Sequence, residues 1–492
     1  MRLLLARGFS LEFIFLVCLA VASEGRPQPA GAPAGAPSGS HGFKIPMRRI
    51  LQKHSRVGTV LSAQMSLMNS QDFAYIINVG IGNETLPVIL DTGSSDLWVV
   101  SSQCTTSDCN DVPKYHNSSG SLKATSTPFA LNYLMGSVSG QVGFDTVSLG
   151  PYQVFNQTFA LANKTEGLGL SSTGNSGILG LSFQATASIS ASTGTTLLEN
   201  IFASFDESDR FFAFRLGQDD GAASSASSFT FGQLDPAIAT STTGFQYTPV
   251  SKAGASDYNY WKLPLRGLSL NGTAISLSPS LISSAQEPIA VLDTGTTLIL
   301  GPTQDVDQFW GLAGQGGGAR KNPATSMWEV RCERAMIVEF FLGDEASSRA
   351  YALHALDTNW SEGGSPDGWC LGGIQGNDGI NSGDWLLGDV FLRNVYVTHH
   401  GANSTHPPLI GLLNMTDPSK ALAEFRRERG PDPLPPFTGT VRVNGAISRM
   451  AVNPLPLYFL SSLCGFVSGA VLTALFRARW GPLPAVDRKI MD

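Results

Sequence analysis

Val88-Ile-Leu-Asp91-Thr92-Gly93-Ser94-Ser95-Asp96-Leu97-Trp98 and Ala290-Val-Leu-Asp293-Thr294-Gly295-Thr296-Thr297-Leu298-Ile299 are two copies of one motif, an apolar run ending in Asp-Thr-Gly. A bare Asp-Thr-Gly is expected by chance about 0.1 times in a chain of this length. Two copies with matching apolar flanks therefore point to a duplicated unit that supplies one carboxylate per half. The followers repeat too: Gly180, in Gly177-Ile-Leu-Gly180, lies 89 residues after Asp91, and Gly388, in Trp385-Leu-Leu-Gly388, lies 95 after Asp293. A glycine after Asp-Thr lets a tight loop bring backbone close to a carboxylate, where a Cβ would clash.

The paired Asp-Thr-Gly motifs, each followed by an apolar-apolar-Gly motif, resemble the pepsin-like aspartic proteases over about residues 72–413. The resemblance implies an all-β, bilobal fold with a catalytic Asp from each lobe, Asp91 and Asp293, activating a water between them to hydrolyse peptide bonds. It also implies that Thr92 and Thr294 cross-brace the two loops, that Ser94 and Thr296 hold the outer carboxylate oxygens, and that Gly93 and Gly295 complete the support of the dyad. Like charges about 3 Å apart cannot both ionise easily, so one pKa falls and the other rises. Pepsin is the known example, titrating near 1.5 and 4.7, and such values belong to the pair rather than to either residue. A singly protonated pair predicts an acidic optimum. No cofactor is expected.

Phe129-Ala-Leu-Asn-Tyr133-Leu134-Met135-Gly136-Ser-Val-Ser-Gly140 alternates, turns and alternates again, the pattern of a hairpin. By resemblance it is the flap that closes over the substrate, which gives Tyr133, Gly136 and Trp98 flap and substrate-binding roles. The family usually has Gly directly after the Tyr, whereas this chain has Leu134 and Met135. Phe229-Thr-Phe-Gly232-Gln-Leu-Asp235 resembles the family's inter-lobe region, and Tyr260-Trp261-Lys-Leu-Pro-Leu resembles the strand before the second motif.

The low charged fraction, 14%, with 53 Gly suits strand-rich lobes joined by tight turns. Helical signals are few, at 195–203, 303–312 and 418–429. The organisation expected is a signal peptide at 1–22, a propeptide at 23–71, an N-terminal β-lobe at 72–245 and a C-terminal β-lobe at 246–416. A Pro-rich stalk at 417–454, a transmembrane helix at 455–476 and a cytosolic tail at 477–492 follow. Arg2 and Arg7 before an apolar run ending in Ala20-Val-Ala22 read as a secretory signal, with an uncleaved anchor as the alternative. Residues 455–476 are 22 without a charge, long enough to cross a hydrocarbon core of roughly 30 Å. Arg477 and Arg479 follow, placing the tail in the cytosol and the lobes outside, a type I arrangement at the plasma membrane or a vacuole. A glycolipid anchor is the alternative, though the chain continues past the apolar stretch.

Residues 25–71 contain no acid, while Lys44, Arg48, Arg49, Lys53 and Arg56 are basic. Lys44-Ile-Pro-Met-Arg-Arg-Ile resembles the prosegments that cover the cleft and pair with its carboxylates, which makes the propeptide an intramolecular inhibitor and the chain a zymogen. Residues 1–71 carry eight Lys/Arg and two Glu, a net +6, so the rest of the chain carries −13 of the total −7. Such an acidic body argues against nucleic acid as a partner. The partners expected are peptide or protein substrates, the chain's own propeptide, and a membrane through the C-terminal helix.

Four cysteines outside the terminal apolar segments, Cys104, Cys109, Cys332 and Cys370, allow three pairings. Resemblance favours Cys104 with Cys109 and Cys332 with Cys370. Zinc is the competing use, but no Cys-x2-Cys or His-Glu-x-x-His spacing exists, so no metal is expected. Eight Asn-x-Ser/Thr acceptors, at Asn83, Asn117, Asn156, Asn163, Asn271, Asn359, Asn403 and Asn414, fit passage through the secretory pathway. The rival to an acid endopeptidase is a catalytically silent lobe pair acting as a peptide-binding or adhesion module.

Overall fold

Each Asp-Thr-Gly motif lies just past or at the end of a buried strand that is sandwiched in the same way. Glu84–Asp91 runs parallel to Gly177–Gly180, which pairs antiparallel with Leu97–Val100 on its other side. In the second half, Ile289–Leu292 runs parallel to Trp385–Leu387, which pairs antiparallel with Ile299–Gly301. The strand carrying the apolar-apolar-Gly motif thus threads between the two arms of each Asp-Thr-Gly loop. Only glycine fits there: a Cβ on Gly180 would lie 2.5 Å from the Ser95 backbone, and one on Gly388 would lie 2.2 Å from the Thr296 carbonyl oxygen. These strands are apolar on both faces, as a strand covered on two sides must be.

The computed structural model describes residues 42–51, 73–217, 226–360 and 367–434. The expected signal peptide, most of the propeptide, the distal stalk, the transmembrane helix and the cytosolic tail lie outside them. Among the described residues no helix is long and apolar enough to cross a membrane.

The described chain is mostly β and divides about the two motifs. An eight-stranded sheet in the first half holds Glu84–Asp91 and, at its edge, the long hairpin Lys123–Asn132 and Ser137–Leu149. A second eight-stranded sheet holds Ile289–Leu292, and a four-stranded sheet from Ala319–Lys321 to Trp369–Gly372 flanks it. A six-stranded sheet joins the halves. Its order is Phe43–Ile45, Ser228–Phe231, Phe211–Arg215, Val395–His400, Leu409–Asn414 and Gln246–Pro249, so strands from both lobes and from the expected propeptide share it. The boundary drawn at 245/246 runs through this sheet. Its core is aromatic, with Phe212, Phe214, Phe229 and Phe231 fully buried.

The helices at Leu197–Ala203, Thr303–Ala313 and Pro418–Arg429 fall where the sequence signalled them. Thr196 caps the first by accepting from the Glu199 N–H, which satisfies one of the orphan donors of its first turn.

Two segments differ from the sequence reading. Residues 417–434, assigned by composition to a stalk, are folded against the second lobe. Asp417 caps Pro418–Arg429 by accepting from the Lys420 N–H, Ala421 and Phe425 bury against Ala335 and Ala355, and the buried Arg334 pairs with Asp432 at 3.2 Å. The stretch reads as polar because only one stripe of the helix meets the lobe and because its last turn carries three arginines, which suit the negative end of the helix dipole. The first basic residue of the propeptide stretch 44–50 is also placed differently. Lys44 pairs with Asp235, beside the six-stranded sheet, at 2.6 Å, rather than with the cleft's carboxylates. Phe43–Ile45 is the edge strand of that sheet, and Arg48–Leu51 pairs antiparallel with Phe73–Ile81.

Candidate active site

The two Asp-Thr-Gly loops meet across the lobes with matched hydrogen bonds. The Thr92 N–H donates to Thr294 Oγ1 at 3.0 Å, and the Thr294 N–H donates to Thr92 Oγ1 at 3.1 Å. Each hydroxyl then donates onward into the opposite strand, Thr92 to the Leu292 carbonyl at 2.9 Å and Thr294 to the Leu90 carbonyl at 2.7 Å. Buried hydroxyls and amides are all used, so displacing either loop leaves polar groups without partners.

The carboxylates are held with the same symmetry. Gly93 N–H donates to Asp91 Oδ1 and Gly295 N–H to Asp293 Oδ1, both at 2.8 Å. Ser94 donates to Asp91 Oδ2, and Thr296 donates to Asp293 Oδ2 at 2.7 Å. Each glycine faces the other lobe's acid: a Cβ on Gly93 would lie 2.4 Å from Asp293 Oδ1, and one on Gly295 would lie 2.5 Å from Asp91 Oδ1.

Asp91 and Asp293 are 4% and 8% exposed, so ionising both would place two like charges in a nearly dry site. Burial first, and then the Asp293 charge alongside, pushes the Asp91 carboxyl up to about 8. Burial also raises Asp293, against the opposing bonds from Thr296, Gly295 and Asp91. The two groups are one titrating unit. Its physical content is that the pair keeps one proton well above the ordinary carboxylate range.

Above the dyad, the hairpin turns at Tyr133–Gly136, closed by the Tyr133 N–H donating to the Gly136 carbonyl at 3.0 Å. Gly136 adopts φ +80°, and a Cβ there would lie 2.5 Å from the Glu166 carbonyl. The Trp98 indole donates to the Tyr133 hydroxyl at 2.7 Å. Burial, and next the adjacent Asp91, hold the Tyr133 phenol proton far more tightly than usual.

Beneath the hairpin is a cavity of about 370 Å³ lined by Asp91, Asp293, Tyr133, Leu134 and Met135. Ile89, Leu168, Leu170 and Ile178 line it from the first lobe, and Leu298, Leu300, Met327 and Trp328 from the second. It ends at an ion pair, Lys321 with Asp307 at 2.8 Å, whose carboxylate also accepts from the Trp328 indole at 2.9 Å. Trp98 and Gly136, grouped by sequence with the substrate-binding residues, do not line this cavity. Trp98 is fully buried and meets the cleft through Tyr133, to which its indole donates, while Gly136 turns the hairpin.

The disulfides are Cys104–Cys109 and Cys332–Cys370, and no cluster of metal-ligating side chains exists among the described residues. Of the eight acceptor asparagines, Asn83, Asn156, Asn271 and Asn414 are exposed and Asn117, Asn163 and Asn403 are part-buried. Asn359 is fully buried. Its amide nitrogen donates to the carbonyls of Arg331 and Arg334 at 3.1 and 2.9 Å, so it cannot carry a glycan in the folded chain. The triplet is legible in sequence; its burial is not.

Some residues that shape the site had no role assigned from sequence. Trp261 ties the two loops together: its indole donates to the Leu181 carbonyl at 2.8 Å, the Leu181 N–H donates to the Asp91 carbonyl at 2.7 Å, and the Trp261 carbonyl accepts from the Leu292 N–H at 3.1 Å. Asp96, buried, accepts from the Ser188 and Ile189 N–H groups at 2.7 and 3.1 Å. Asp389, directly after Gly388, is buried, and burial holds its carboxyl well above the usual range against the pull of Arg393.

The description of the family whose model matches residues 73–406 is "Eukaryotic aspartyl protease". The chain is 29% identical over 357 residues to "Pepsin A" of Bos taurus, covering 72% of this chain and 88% of that protein. It is 31% identical over 351 residues to "Pepsin A" of Callithrix jacchus, covering 70% and 82%. It is 27% identical over 388 residues to "Major aspartyl peptidase 1" of Cryptococcus neoformans, covering 77% and 75%. The matched span contains both Asp-Thr-Gly loops, the cross-braced threonines and the hairpin above them. With two thirds of the sequence accounted for in this way, the chain belongs to the eukaryotic aspartyl protease family.

Proposed function

We propose that the chain is an aspartic endopeptidase with an acidic optimum, made as a zymogen and tethered to a membrane with its lobes on the lumenal or extracellular side. The observation that carries the reading is the pairing of Asp91 and Asp293: two buried carboxyls, each fixed by the same amide and hydroxyl donors, on the floor of a cleft under a hairpin.

In the singly protonated pair, the ionised carboxylate takes a proton from a water held between the two. The water oxygen attacks the scissile carbonyl carbon while the neutral carboxyl gives its proton to the carbonyl oxygen. The resulting diol collapses: one of its hydroxyls returns a proton to the carboxylate that had given one, the C–N bond breaks, and the departing nitrogen takes a proton from the acid that gained one in the first step. One water is consumed and the dyad returns with one proton, so no cofactor is required. Loss of the shared proton leaves the dyad doubly ionised and without its acid, which sets only the alkaline limit of activity; the acidic optimum rests on the resemblance to the pepsin-like proteases.

The apolar walls of the cavity support cleavage beside bulky apolar side chains. Leu134 and Met135 at the hairpin tip add apolar surface to the roof. Retention of the propeptide on the folded body is supported by the seating of 43–45 and 48–51 as strands and by the Lys44–Asp235 pair. The test is cleavage of a denatured protein at about pH 4 by the purified, acidified protein, with block by an uncleavable peptide analogue bearing a hydroxyl at the scissile position. Hydrolysis insensitive to that analogue, or none across pH 3 to 7, would contradict the proposal.

A further inference from the structure

His399 lies at the centre of the six-stranded sheet with no exposed surface, and neither ring nitrogen has a hydrogen-bond partner among the described residues. Its ring stacks on Phe212 at 4.6 Å and 10°, faces Phe214 at 5.4 Å, and meets Trp261 edge-on at 4.7 Å. Burying two unsatisfied polar atoms where a phenyl ring would fit costs stability even when the ring is neutral. The position matters for two neighbours. Through Trp261 the ring packs under both carboxylate loops. Through Phe212, then Phe231 at 5.7 Å, then Phe43 at 5.6 Å, it belongs to the aromatic stack that seats the propeptide strand Phe43–Ile45.

We propose that His399 is a proton sensor inside this sheet: protonation of its ring loosens the sheet where it holds the propeptide strand and supports the dyad loops, so that acid both eases release of the propeptide and sets the lower pH limit of the mature fold. The propeptide part rests on the zymogen reading. The six strands carry no Asp or Glu, so a proton on this ring finds no counter-charge within the sheet. The charged or titratable groups on the elements around it are Lys44 on Phe43–Ile45, Arg215 on Phe211–Arg215, Tyr247 on Gln246–Pro249, Tyr396 and His400 on its own strand, and Lys262 after Trp261. None of them offers an anion at the pH of interest; the carboxylate beside the sheet, Asp235, is paired with Lys44 and meets Tyr396, whose side chain lies on the face opposite His399.

Burial, with a smaller push from His400, holds His399 well below the ordinary histidine value. The unfolded or locally opened chain takes up this proton near pH 6.5, while the folded sheet does not. Stability from the neutral ring is therefore complete above about 6.5 and is lost, about tenfold in the opening equilibrium per pH unit, as pH falls toward the folded value. His400, brought down to about 4 by burial, acts in the same direction. It stacks on Phe211, and its Nε2 has a hydroxyl partner, Thr398 Oγ1, at 3.1 Å. The Lys44–Asp235 pair opens lower still. Burial opposes it, but Lys44, Ser228 and the Ala237 N–H hold Asp235 below the usual carboxylate value.

The experiment is hydrogen exchange on the full chain carrying Asp91→Asn, which prevents self-cleavage and makes the readout independent of proteolysis. Protection factors, corrected for intrinsic exchange rates, are compared at pH 7, 6 and 5 for residues 43–45, 395–400 and, as a distant reference, 338–342. Protection of the first two segments should fall about fiftyfold between pH 6 and 5, roughly tenfold or a little less from each histidine, while the reference holds. The fall should shrink to about tenfold in His399→Phe and in His399→Gln, and vanish when His399→Phe is combined with His400→Phe. A pH-independent sheet, a fall as large in both His399 variants as in the parent, or a fall abolished by His400→Phe alone would overturn the proposal. If neither His399 variant folds, ring titration of His399 by NMR in the Asp91→Asn chain decides it. A folded pKa at or above 6.5 overturns the proposal and one well below supports it.

Discussion

Adding one methyl group to Gly93 should cost about a hundredfold in catalysis while leaving the protein folded. Gly93 does not sit in the left-handed region, so the substitution acts through space alone. Its new Cβ would lie 2.4 Å from Asp293 Oδ1 and 2.5 Å from Asp293 Cγ, whereas ordinary contact begins at 3.4 Å. The carboxyl or the loop must therefore give by about 1 Å. A misplacement of about 1 Å at a reacting group costs on the order of 10²-fold in rate, about 2.7 kcal/mol of transition-state stabilisation. Overpacking of a tight site costs about 1–3 kcal/mol of fold stability, which a lobed protein of this size should survive. Gly295→Ala is the mirror experiment, pressing on Asp91 Oδ1 from 2.5 Å, and should cost about as much. The assay is kcat/KM on a quenched fluorescent peptide at the pH optimum, with urea unfolding of the same preparations. Both variants should remain folded and lose about 10²-fold. A loss below about threefold in both, with an intact fold, would show that the close glycine approach does not set the carboxyl geometry.

Three further outcomes are expected. Thr294→Val removes an acceptor for the Thr92 N–H and a donor to the Leu90 carbonyl, both buried, and should lower unfolding free energy by about 2–4 kcal/mol in urea titrations; a change under about 0.5 kcal/mol would mean that the cross-brace is energetically idle. Phe425→Ala empties a fully buried site under the C-terminal helix and should cost about 3–5 kcal/mol, while truncation after Leu434 should leave a stable, active enzyme; equal stability of chains ending at 416 and 434 would argue that the helix is dispensable. Substituting Asn359 by Gln should leave the mobility of protein expressed through a secretory pathway unchanged before and after deglycosylation, since the amide is buried and fully engaged; a shift would place a glycan there.

The features legible in the sequence were those written into local motifs. The two Asp-Thr-Gly loops, the glycines that follow them and the hairpin bearing Tyr133 each announce themselves within a dozen residues, because their geometry is imposed by residues adjacent in the chain. What escaped was long-range. The pairing of Phe43–Ile45 with Ser228–Phe231 joins residues nearly two hundred positions apart, and nothing local in Phe-Lys-Ile names its partner. Lys44 read as a cleft-covering cation because its charge was visible while its partner, Asp235, nearly two hundred positions away, was not. Residues 417–434 read as a stalk because one buried stripe of Ala421 and Phe425 is easily outvoted by polar neighbours. In Val-Tyr-Val-Thr-His399-His400 the register alone decides which histidine faces the aromatic core, and register is set by the neighbouring strands.

The central claim is that Asp91 and Asp293 act as one shared-proton unit. Its most direct test is the initial rate of peptide hydrolysis by Asp91→Asn and Asp293→Asn separately, across pH 3 to 7, on protein shown by inhibitor-analogue binding to retain an intact cleft. Neither variant should exceed a small fraction of the parent rate at any pH, because the remaining carboxyl cannot serve as base and acid in one turnover. Retention of more than about a tenth of the parent rate by either variant, a loss below about 1.4 kcal/mol, would contradict the account.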